Sequence, residues 1–314
     1  MTEVKRGLMF WLVAAKDVLV LYFYTVFIFF ESFIQLIFPP KLKSLKNETI
    51  LITGSASGIG RMICLELVST GAKLVCWDIN KWDNDGLVKE LRNLGATAFG
   101  YEVDVSDRQK VRTAADQVKT DVSDVTMIIN NAGIMPCHSF LSHNPKEISR
   151  AFEVNVLSQL WIVREFLPRM IERKCGHIVA ICSLSGLIGS RNLSVYSSTK
   201  FAVNGFMEAL QDELAHRPED LNIKFTTVYP TSCDTSFSKN IVHTRFPWLM
   251  PEFTTPQYVA KRTVEGIRRN RESVCIPPSI VLFAFCLKSL PSKVFYAARE
   301  LLGIYCEPKA TATR

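Results

Sequence analysis

Strand-like and helix-like segments alternate along most of this chain, and that alternation constrains its fold more than any other feature. Short apolar runs typical of buried strands lie at 49–52, 73–77, 98–103, 125–129, 177–182 and 223–229. Helix-like segments separate them, which is the order of βαβ units around a parallel sheet. Ligands of such sheets bind beyond the carboxyl ends of the strands. The first candidates for function are therefore the residues at those ends, namely Asp78, Asn130, Ser183 and Pro230.

The first strand leads into a glycine-rich turn, Thr-Gly-Ser-Ala-Ser-Gly-Ile-Gly at 53–60, and then into an amphipathic helix. Gly54 permits a tight turn, Gly58 permits the close approach of a pyrophosphate, and Gly60 lets the helix pack against the strand. The helix N-terminus then faces the anion. The pattern predicts a dinucleotide site in a Rossmann-type, doubly wound α/β fold. The predicted cofactor-binding residues of the turn are Gly54, Ser57, Gly58, Ile59 and Gly60.

The second strand ends in Asp78, about twenty residues after the glycines. A carboxylate at this place accepts hydrogen bonds from the adenosine ribose hydroxyls and repels a 2′-phosphate. Neither Ser57 nor Ile79 supplies the cation that a phosphate would need. We therefore expect NAD rather than NADP, although an aspartate at a strand end is also an ordinary turn residue.

Tyr196 and Lys200 are one helical turn apart, and Ser183 precedes them, just after a strand-like run. At i, i+4 spacing the phenol and the ammonium share a helix face. We therefore expect the charge of Lys200 to lower the pKa of Tyr196 from about 10 toward neutrality, so that Tyr196 acts as a general base. The Ser183 hydroxyl would stabilise charge that develops on the substrate oxygen. These residue types are also common on amphipathic helices, so the glycine turn strengthens the interpretation.

Further motifs lie near the other strand ends: Asp104-Val105, Asn-Asn-Ala-Gly at 130–133, Asn155, and the segment from Pro230 to Thr235. Together with the glycine turn and the Ser183, Tyr196 and Lys200 triad, they resemble the short-chain dehydrogenase/reductase family over about residues 48–270. In one departure, Thr231 follows Pro230 where the family usually has glycine.

The resemblance implies roles for the remaining site residues. Asp104 and Val105 would border the adenine, and Asn155 would hold a water that relays protons from Lys200. Thr235 would meet the nicotinamide carboxamide. The predicted catalytic set is therefore Ser183, Tyr196, Lys200 and Asn155, and the cofactor would also contact Asp104, Val105, Asn131, Tyr196, Lys200, Pro230 and Thr235.

Shorter segments narrow the likeness to one subgroup. They lie at 77–81, 152–156, 166–168, 176–179 and 198–202, and they resemble the membrane-associated retinol dehydrogenases and the 17β-hydroxysteroid dehydrogenases of types 11 and 13. The resemblance implies an NAD-dependent, homodimeric enzyme that interconverts a lipophilic alcohol and its carbonyl, with all-trans-retinol the leading substrate. The alternatives are a 17β-hydroxysteroid or other lipid alcohol, NADP-dependent retinal reduction, or a lipid-droplet surface protein with little catalytic role.

Composition divides the chain into three parts. We interpret residues 1–40 as a hydrophobic membrane anchor, 41–275 as the catalytic domain and 276–314 as an apolar extension. In the extension, 280–287 is a second membrane contact, a buried core helix or a wall over the substrate pocket. A substrate lid is expected over about 231–256, where large apolar side chains suit a long apolar substrate: Phe237, Phe246, Trp248, Leu249, Met250 and Phe253.

Nearly every residue of 7–38 is apolar or aromatic. As one helix this segment measures about 48 Å, more than the hydrocarbon thickness of about 30 Å. Asp17, Tyr24 and Glu31 recur every seven positions, with Gln35 one turn beyond. This polar stripe favours a helix in the membrane interface, or a shallow hairpin, over a simple span. A cleaved signal peptide is the other alternative. We expect the endoplasmic reticulum membrane or lipid droplets, with the catalytic domain in the cytosol.

Charge and cysteine content argue against other classes. The net charge of +7 comes from dispersed basic residues, so we expect no nucleic-acid partner. The nine cysteines include no Cys-x-x-Cys and the five histidines no His-Glu-x-x-His, so we expect no metal site. The cysteines are interpreted as reduced, mostly buried thiols of a cytosol-facing protein. Cys233, in the expected active-site loop, is either reactive or part of the lining.

Overall fold

The computed structural model describes residues 3–231, 233, 242–243, 254–302 and 305–306. The chain forms two compact units, Met1–Lys43 and Ser44–Arg314. The first is built on a single helix, α1 (Glu3–Ile37). Among the described residues, one stretch is long and apolar enough to cross a membrane, and it is Met9–Gln35 of this helix.

The polar stripe of α1 is present in the structure. The Gln35 side-chain amide donates to the Glu31 carboxylate at 2.9 Å, so these two residues share one face. The alternative of a shallow hairpin is wrong, because the helix runs without a break. No glycine or proline lies between residues 8 and 38, so the backbone has no reason to turn there.

The second unit is built on a seven-stranded parallel sheet. Its strands are β1 (Thr49–Thr53), β2 (Lys73–Asp78), β3 (Thr97–Glu102), β4 (Met127–Asn130), β5 (Cys175–Ile181), β6 (Asn222–Pro230) and β8 (Ser273–Ile276). Their order in the sheet is β3-β2-β1-β4-β5-β6-β8. Two further two-residue strands, β7 (Val242–His243) and β9 (Tyr305–Cys306), pair antiparallel. The order reverses beside β1, which is the doubly wound arrangement that the sequence predicts.

Helices connect the strands on both faces of the sheet. They are α2 (Gly58–Leu67), α3 (Lys81–Asn93), α4 (Arg108–Asp121), α5 (Pro145–Phe152), α6 (Ser158–Glu172), α7 (Ser194–Ala215), α8 (Pro256–Arg268), α9 (Ile280–Ser289) and α10 (Ser292–Leu302). A π-helical segment, Glu153–Leu157, joins α5 to α6. Side-chain caps begin four of these helices, as expected for Asn, Asp and Thr at such positions: Asn80, Asp107, Asn144 and Thr255.

Successive residues of β1 point to opposite faces of the sheet. Ile50 and Ile52 pack in one apolar layer with Ile63 of α2, whereas Leu51 packs in the other with Val111 of α4. All five of these side chains are buried. A strand that is buried on both faces has a continuous run of apolar residues, so it can be predicted from the sequence.

The C-terminal helices α9 and α10 pack against each other and against residue Ile188 of the second unit. Ala284 and Leu287 of α9 are buried against Ile188 and contact Phe295 of α10. Phe285 of the same helix is 73% exposed. One face of α9 is therefore a packed wall, and another of its side chains remains available for a further contact.

Candidate active site

The glycine turn places two glycines in the left-handed region of backbone conformation. Gly54 has φ of 62° and Gly58 has φ of 54°, values that other residues rarely adopt. Gly60 is needed for a different reason. A Cβ there would lie 2.5 Å from Asn131 Nδ2 and 2.9 Å from the carbonyl carbon of Gly54, and closer still to its oxygen. The first turn of α2 can therefore approach β1 only with glycine at 60.

Two side chains from neighbouring strands hold this turn. Asn131 Nδ2 donates to the carbonyl oxygens of Thr53 at 2.9 Å and Gly54 at 3.0 Å. In return, Thr53 Oγ1 accepts the backbone N–H groups of Asn131 at 3.0 Å and Ala132 at 3.1 Å. Asn131 therefore lies beside the predicted cofactor site, and its amide is engaged in supporting the turn.

Asp78 also supports the turn from the end of β2. Its Oδ2 accepts the Ala56 N–H at 2.9 Å, and its Oδ1 accepts the Asn80 N–H at 2.9 Å. The two interpretations of Asp78 from the sequence are thus compatible, because the carboxylate closes its own turn and lies against the glycine turn. The following residue, Ile79, is 59% exposed and brings no charge.

Asp104 and Val105 follow β3 at the same edge of the sheet. Burial acts to raise the pKa of Asp104, but hydrogen bonds from Ser106 and Arg150 outweigh it and leave the pKa below its ordinary value. Arg150 Nη2 lies 3.0 Å from the Asp104 carboxylate. Val105 is buried in the core. The carboxylate of Asp104 is thus held within the chain, beside a cleft of about 440 Å³ that Ile79 and one face of α4 also line.

Ser183 follows β5, and Tyr196 and Lys200 lie on α7, so the predicted triad comes together. The Ser183 and Tyr196 side chains are hydrogen-bonded to each other. The Lys200 Nζ donates to the carbonyl oxygen of Ile181 at 2.9 Å and lies 5.7 Å from the centre of the Tyr196 ring. Tyr196 and Lys200 are both buried, and Ser183 is half-buried.

The prediction that Lys200 lowers the Tyr196 pKa is wrong for this structure. Burial raises the pKa of Tyr196, and its hydrogen bond with Ser183 opposes the rise only in part. Burial also lowers the pKa of Lys200. The cause is that the Lys200 ammonium is directed at the Ile181 carbonyl rather than at the phenol oxygen, so desolvation dominates both groups.

Asn155 lies in the π-helical segment and is fully buried. Its Nδ2 donates to the Ile134 carbonyl at 2.8 Å and to Thr199 Oγ1 at 3.0 Å, while its Oδ1 accepts the Ile134 N–H at 2.8 Å. A Cβ at Gly133 would meet Asn155 Oδ1 at 3.3 Å and Lys200 Nζ at 3.9 Å. Asn155 and Lys200 therefore flank the same stretch of backbone.

The far side of the site is described only in part. Pro230 is the last residue of β6, and the following Thr231 N–H donates to the Ile276 carbonyl at 3.0 Å. Cys233 is buried, and its backbone pairs with that of Thr254 in an isolated parallel β-bridge. Thr235 and the apolar side chains expected in the lid, from 237 to 253, lie outside the described residues.

Sequence reasoning missed a set of residues around Tyr196. Cys137, Leu193 and Cys306 are buried in one apolar cluster with the tyrosine, and Met135 packs against it. Cys137 comes soon after the 130–133 motif, which is a signal that could have singled it out. The approach of Cys306 from the C-terminal tail has no sequence signal.

The residues that are present fit a dinucleotide. The first helical residues of α2 have no side-chain cap and no acidic side chain, so backbone N–H groups are available to an anion at this end. Because glycine has no side chain, a phosphate group can approach the backbone of the turn closely. At the carboxyl end of β4, the buried Asn130 amide has no hydrogen-bond partner among the described residues. Fold and turn together define a dinucleotide-binding α/β protein.

Comparison with known proteins identifies the family. A family model for short chain dehydrogenases matches residues 48–245. The chain is 37% identical over 291 residues to human 17-beta-hydroxysteroid dehydrogenase 13, covering 93% of this chain and 95% of the relative. It is 36% identical to Short-chain dehydrogenase/reductase family 16C member 6 of Bos taurus, with 89% and 88% covered. The chain belongs to the short-chain dehydrogenase/reductase family and is an oxidoreductase of the alcohol type.

A solved structure agrees with the fold. It is a short-chain dehydrogenase/reductase from Burkholderia phymatum in complex with NAD. The TM-score is 0.69 at 25% sequence identity, and the match covers 77% of this chain and 92% of that one.

Proposed function

We propose that this protein is an NAD-dependent oxidoreductase that interconverts a lipophilic alcohol and its carbonyl, with all-trans-retinol and retinal as the leading pair. One observation carries the proposal. The Tyr196 hydroxyl is hydrogen-bonded to Ser183, and Lys200 is buried one helical turn away, at the carboxyl edge of the sheet where the glycine turn also lies.

The glycine turn and the strand ends would hold NAD. Ser57, Gly58 and Ile59 at the N-terminus of α2 would bind the pyrophosphate, with Gly54 and Gly60 shaping the turn. Asp78 and Asp104 would hold the adenosine end. The carboxylate of Asp78 favours ribose hydroxyls over a 2′-phosphate, and the relative from Burkholderia phymatum is in complex with NAD. When bound, NAD supplies the hydride acceptor for alcohol oxidation.

Tyr196 carries the proton of the reaction at its phenol oxygen. In carbonyl reduction it donates that proton to the substrate oxygen, and in alcohol oxidation it accepts one. Ser183 orients the same substrate oxygen by a hydrogen bond. Because burial raises the pKa of Tyr196, the neutral phenol is the resting form and the proton-donating direction needs no prior ionisation.

Lys200 and Asn155 act behind the tyrosine. Lys200 would anchor the cofactor ribose from its buried position, where its Nζ also donates to the Ile181 carbonyl. Asn155 fixes the backbone at Ile134 and the Thr199 hydroxyl, so it keeps α7 and the loop after β4 in place. A water held near this asparagine would relay protons between Lys200 and solvent.

A second candidate substrate is favoured by a specific observation. The relatives include human 17-beta-hydroxysteroid dehydrogenase 13 and Estradiol 17-beta-dehydrogenase 11, so a 17β-hydroxysteroid is the alternative to retinol. Both substrates are apolar alcohols that partition into membranes. An anchor through α1, at the endoplasmic reticulum or on lipid droplets with the catalytic unit in the cytosol, would hold the enzyme where such molecules collect. We propose a homodimer as the assembled form.

The test uses full-length protein in detergent with NAD and, in parallel, retinol, estradiol and a short polar alcohol. We expect NADH production with an apolar alcohol. Tyr196→Phe should reduce turnover by at least about 100-fold while NADH binding, followed by cofactor fluorescence, stays near normal. Tyr101→Phe is the matched control, because burial also raises the pKa of Tyr101, to about 12, far from the triad on β3.

The outcomes separate the hypotheses. Faster turnover of the polar alcohol contradicts a lipophilic substrate, and faster turnover of estradiol replaces retinol by a steroid. NADH binding with no turnover of any alcohol would favour the lipid-surface protein. Tyr196→Phe with normal activity would remove the tyrosine from the mechanism.

A further inference from the structure

Two cysteines that are distant in sequence meet beside the candidate catalytic tyrosine. The sulfur atoms of Cys137 and Cys306 are 3.2 Å apart, although the residues are separated by 169 positions. Their exposed fractions are 2% and 1%. A disulfide needs sulfur atoms about 2.05 Å apart, so a small shift of either side chain brings them to bonding distance.

The position of the pair gives it a functional meaning. Cys137 and Cys306 share their apolar cluster with Tyr196 and Leu193. Strand β9 brings Cys306 to this cluster. The Asn192 side-chain amide donates to the Cys306 carbonyl at 2.7 Å, and β9 pairs with the two-residue strand β7. Short strands of this kind open locally more readily than a core strand.

The two thiols are not equivalent. Their mutual hydrogen bond lowers the pKa of Cys137 and raises that of Cys306, because one proton is held between the sulfurs. The lowered pKa favours the thiolate at Cys137, and the thiolate is the nucleophilic form of cysteine.

We propose that Cys137 and Cys306 form a reversible oxidation site, at which a peroxide converts the two thiols to a disulfide that fastens β9 beside Tyr196. The Cys137 thiolate attacks one oxygen of hydrogen peroxide, and the O–O bond breaks to give a sulfenic acid and hydroxide, which takes up a proton. Cys306 then attacks the Cys137 sulfur, the S–O bond breaks and water leaves. Two thiols and one peroxide give one disulfide and two waters.

The proposal fits the compartment expected for the catalytic unit. Disulfides in the cytosol are usually transient and redox-sensing, since glutathione and thioredoxin keep structural thiols reduced. A covalent bond between the loop after β4 and β9 would prevent β9 from moving away from Tyr196. Turnover should then fall on oxidation and return on reduction, an effect that rests on the proposed function, whereas the bond itself does not.

The chain offers internal controls. Cys64 and Cys76 also face each other, with sulfur atoms 3.9 Å apart, but Cys76 lies in β2, a strand paired on both sides, whereas Cys306 lies in the two-residue strand β9. Cys175 and Cys286 are exposed. A specific site predicts that the 137–306 bond forms while the 64–76 pair stays reduced, and that exposed thiols do not account for any loss of activity.

The experiment treats full-length protein in detergent with hydrogen peroxide, blocks remaining thiols with iodoacetamide and digests without reductant. Trypsin places Cys137 in peptide 120–146 and Cys306 in peptide 300–309. We expect the two peptides linked, with a mass about 2 Da below their reduced sum. Alcohol turnover should fall in the same samples and recover with dithiothreitol. Cys306→Ser and Cys306→Ala should abolish both effects, and Cys286→Ser should change neither.

Peptides 120–146 and 300–309 that remain unlinked, while Cys175 becomes oxidised in the same sample, would overturn the proposal. Linked peptides with unchanged turnover would show that the disulfide does not lower alcohol turnover, and would overturn that part of the proposal. If no alcohol is turned over even before oxidation, the proposed function fails, and the linked peptide still reports on the cysteine pair.

Discussion

Replacing Gly60 with alanine tests the glycine turn through its packing. The added Cβ would press on Asn131 Nδ2 and on the Gly54 carbonyl, both of which are held in the turn. Overpacking of this kind costs about 1–3 kcal/mol. If Asn131 is displaced, its two hydrogen bonds to the turn are also lost, at about 1 kcal/mol each. The expected loss of unfolding free energy is therefore about 1–3 kcal/mol if Asn131 stays in place and about 3–5 kcal/mol if it is displaced.

The assay is urea unfolding of the detergent-solubilised full-length protein, followed by circular dichroism, with an NADH titration of each variant. We expect Gly60→Ala to unfold at lower urea concentration and to bind NADH much more weakly. Gly86→Ala is the control, because Gly86 lies within α3 with no atom within 4 Å of the added Cβ. It should gain up to about 1 kcal/mol from helix propensity. A Gly60→Ala protein with wild-type stability and NADH affinity would refute the reasoning.

Three further predictions follow from the same geometry. Because burial raises the pKa of Tyr196, the phenolate that accepts the alcohol proton forms only at high pH. The rate of alcohol oxidation should therefore still rise between about pH 8 and about pH 10. A rate that is already constant from about pH 7 would contradict this. Changing Asp78 to Ser together with Ile79 to Arg should shift the ratio of kcat/KM values from NAD toward NADP, whereas a wild type that already prefers NADP would contradict the role of Asp78. Deleting residues 1–40 should move the protein from the membrane to the soluble fraction in cell fractionation, and a full-length chain that is already soluble would contradict the anchor.

The sequence predicts much of the fold because the strands are buried on both faces. The first six strands of the parallel sheet appear within two residues of their expected positions. The seventh, β8, was not predicted. Its four residues, Ser273–Ile276, follow a basic cluster and are too short for a periodic pattern. Their strand conformation comes from pairing with β6, which is a tertiary contact that no local pattern encodes.

The candidate site was also predicted from the sequence only in part. Asp78 and Asn131 both support the glycine turn, and Ser183 lies against Tyr196 of α7, since parallel strands bring their carboxyl ends to one edge of the sheet. The electrostatics could not be read from spacing, since i, i+4 proximity on a helix does not say where the Lys200 ammonium points. The position of Cys306 beside Tyr196 could not be predicted either, because it depends on a contact between residues far apart in the sequence.

The directions of the two pKa shifts bear on how the site works. Burial favours the neutral phenol of Tyr196 and acts against the ammonium of Lys200, so both groups are biased toward their uncharged forms. An uncharged phenol is ready to give a proton to a carbonyl oxygen but must lose its own before it can accept one from an alcohol. The chain by itself therefore favours proton donation, and alcohol oxidation depends on charge brought close to the phenol oxygen. Bound NAD would bring positive charge to the site, and a higher external pH favours loss of the phenol proton directly. The ratio of oxidation to reduction at fixed pH is therefore the most direct measure of this pair.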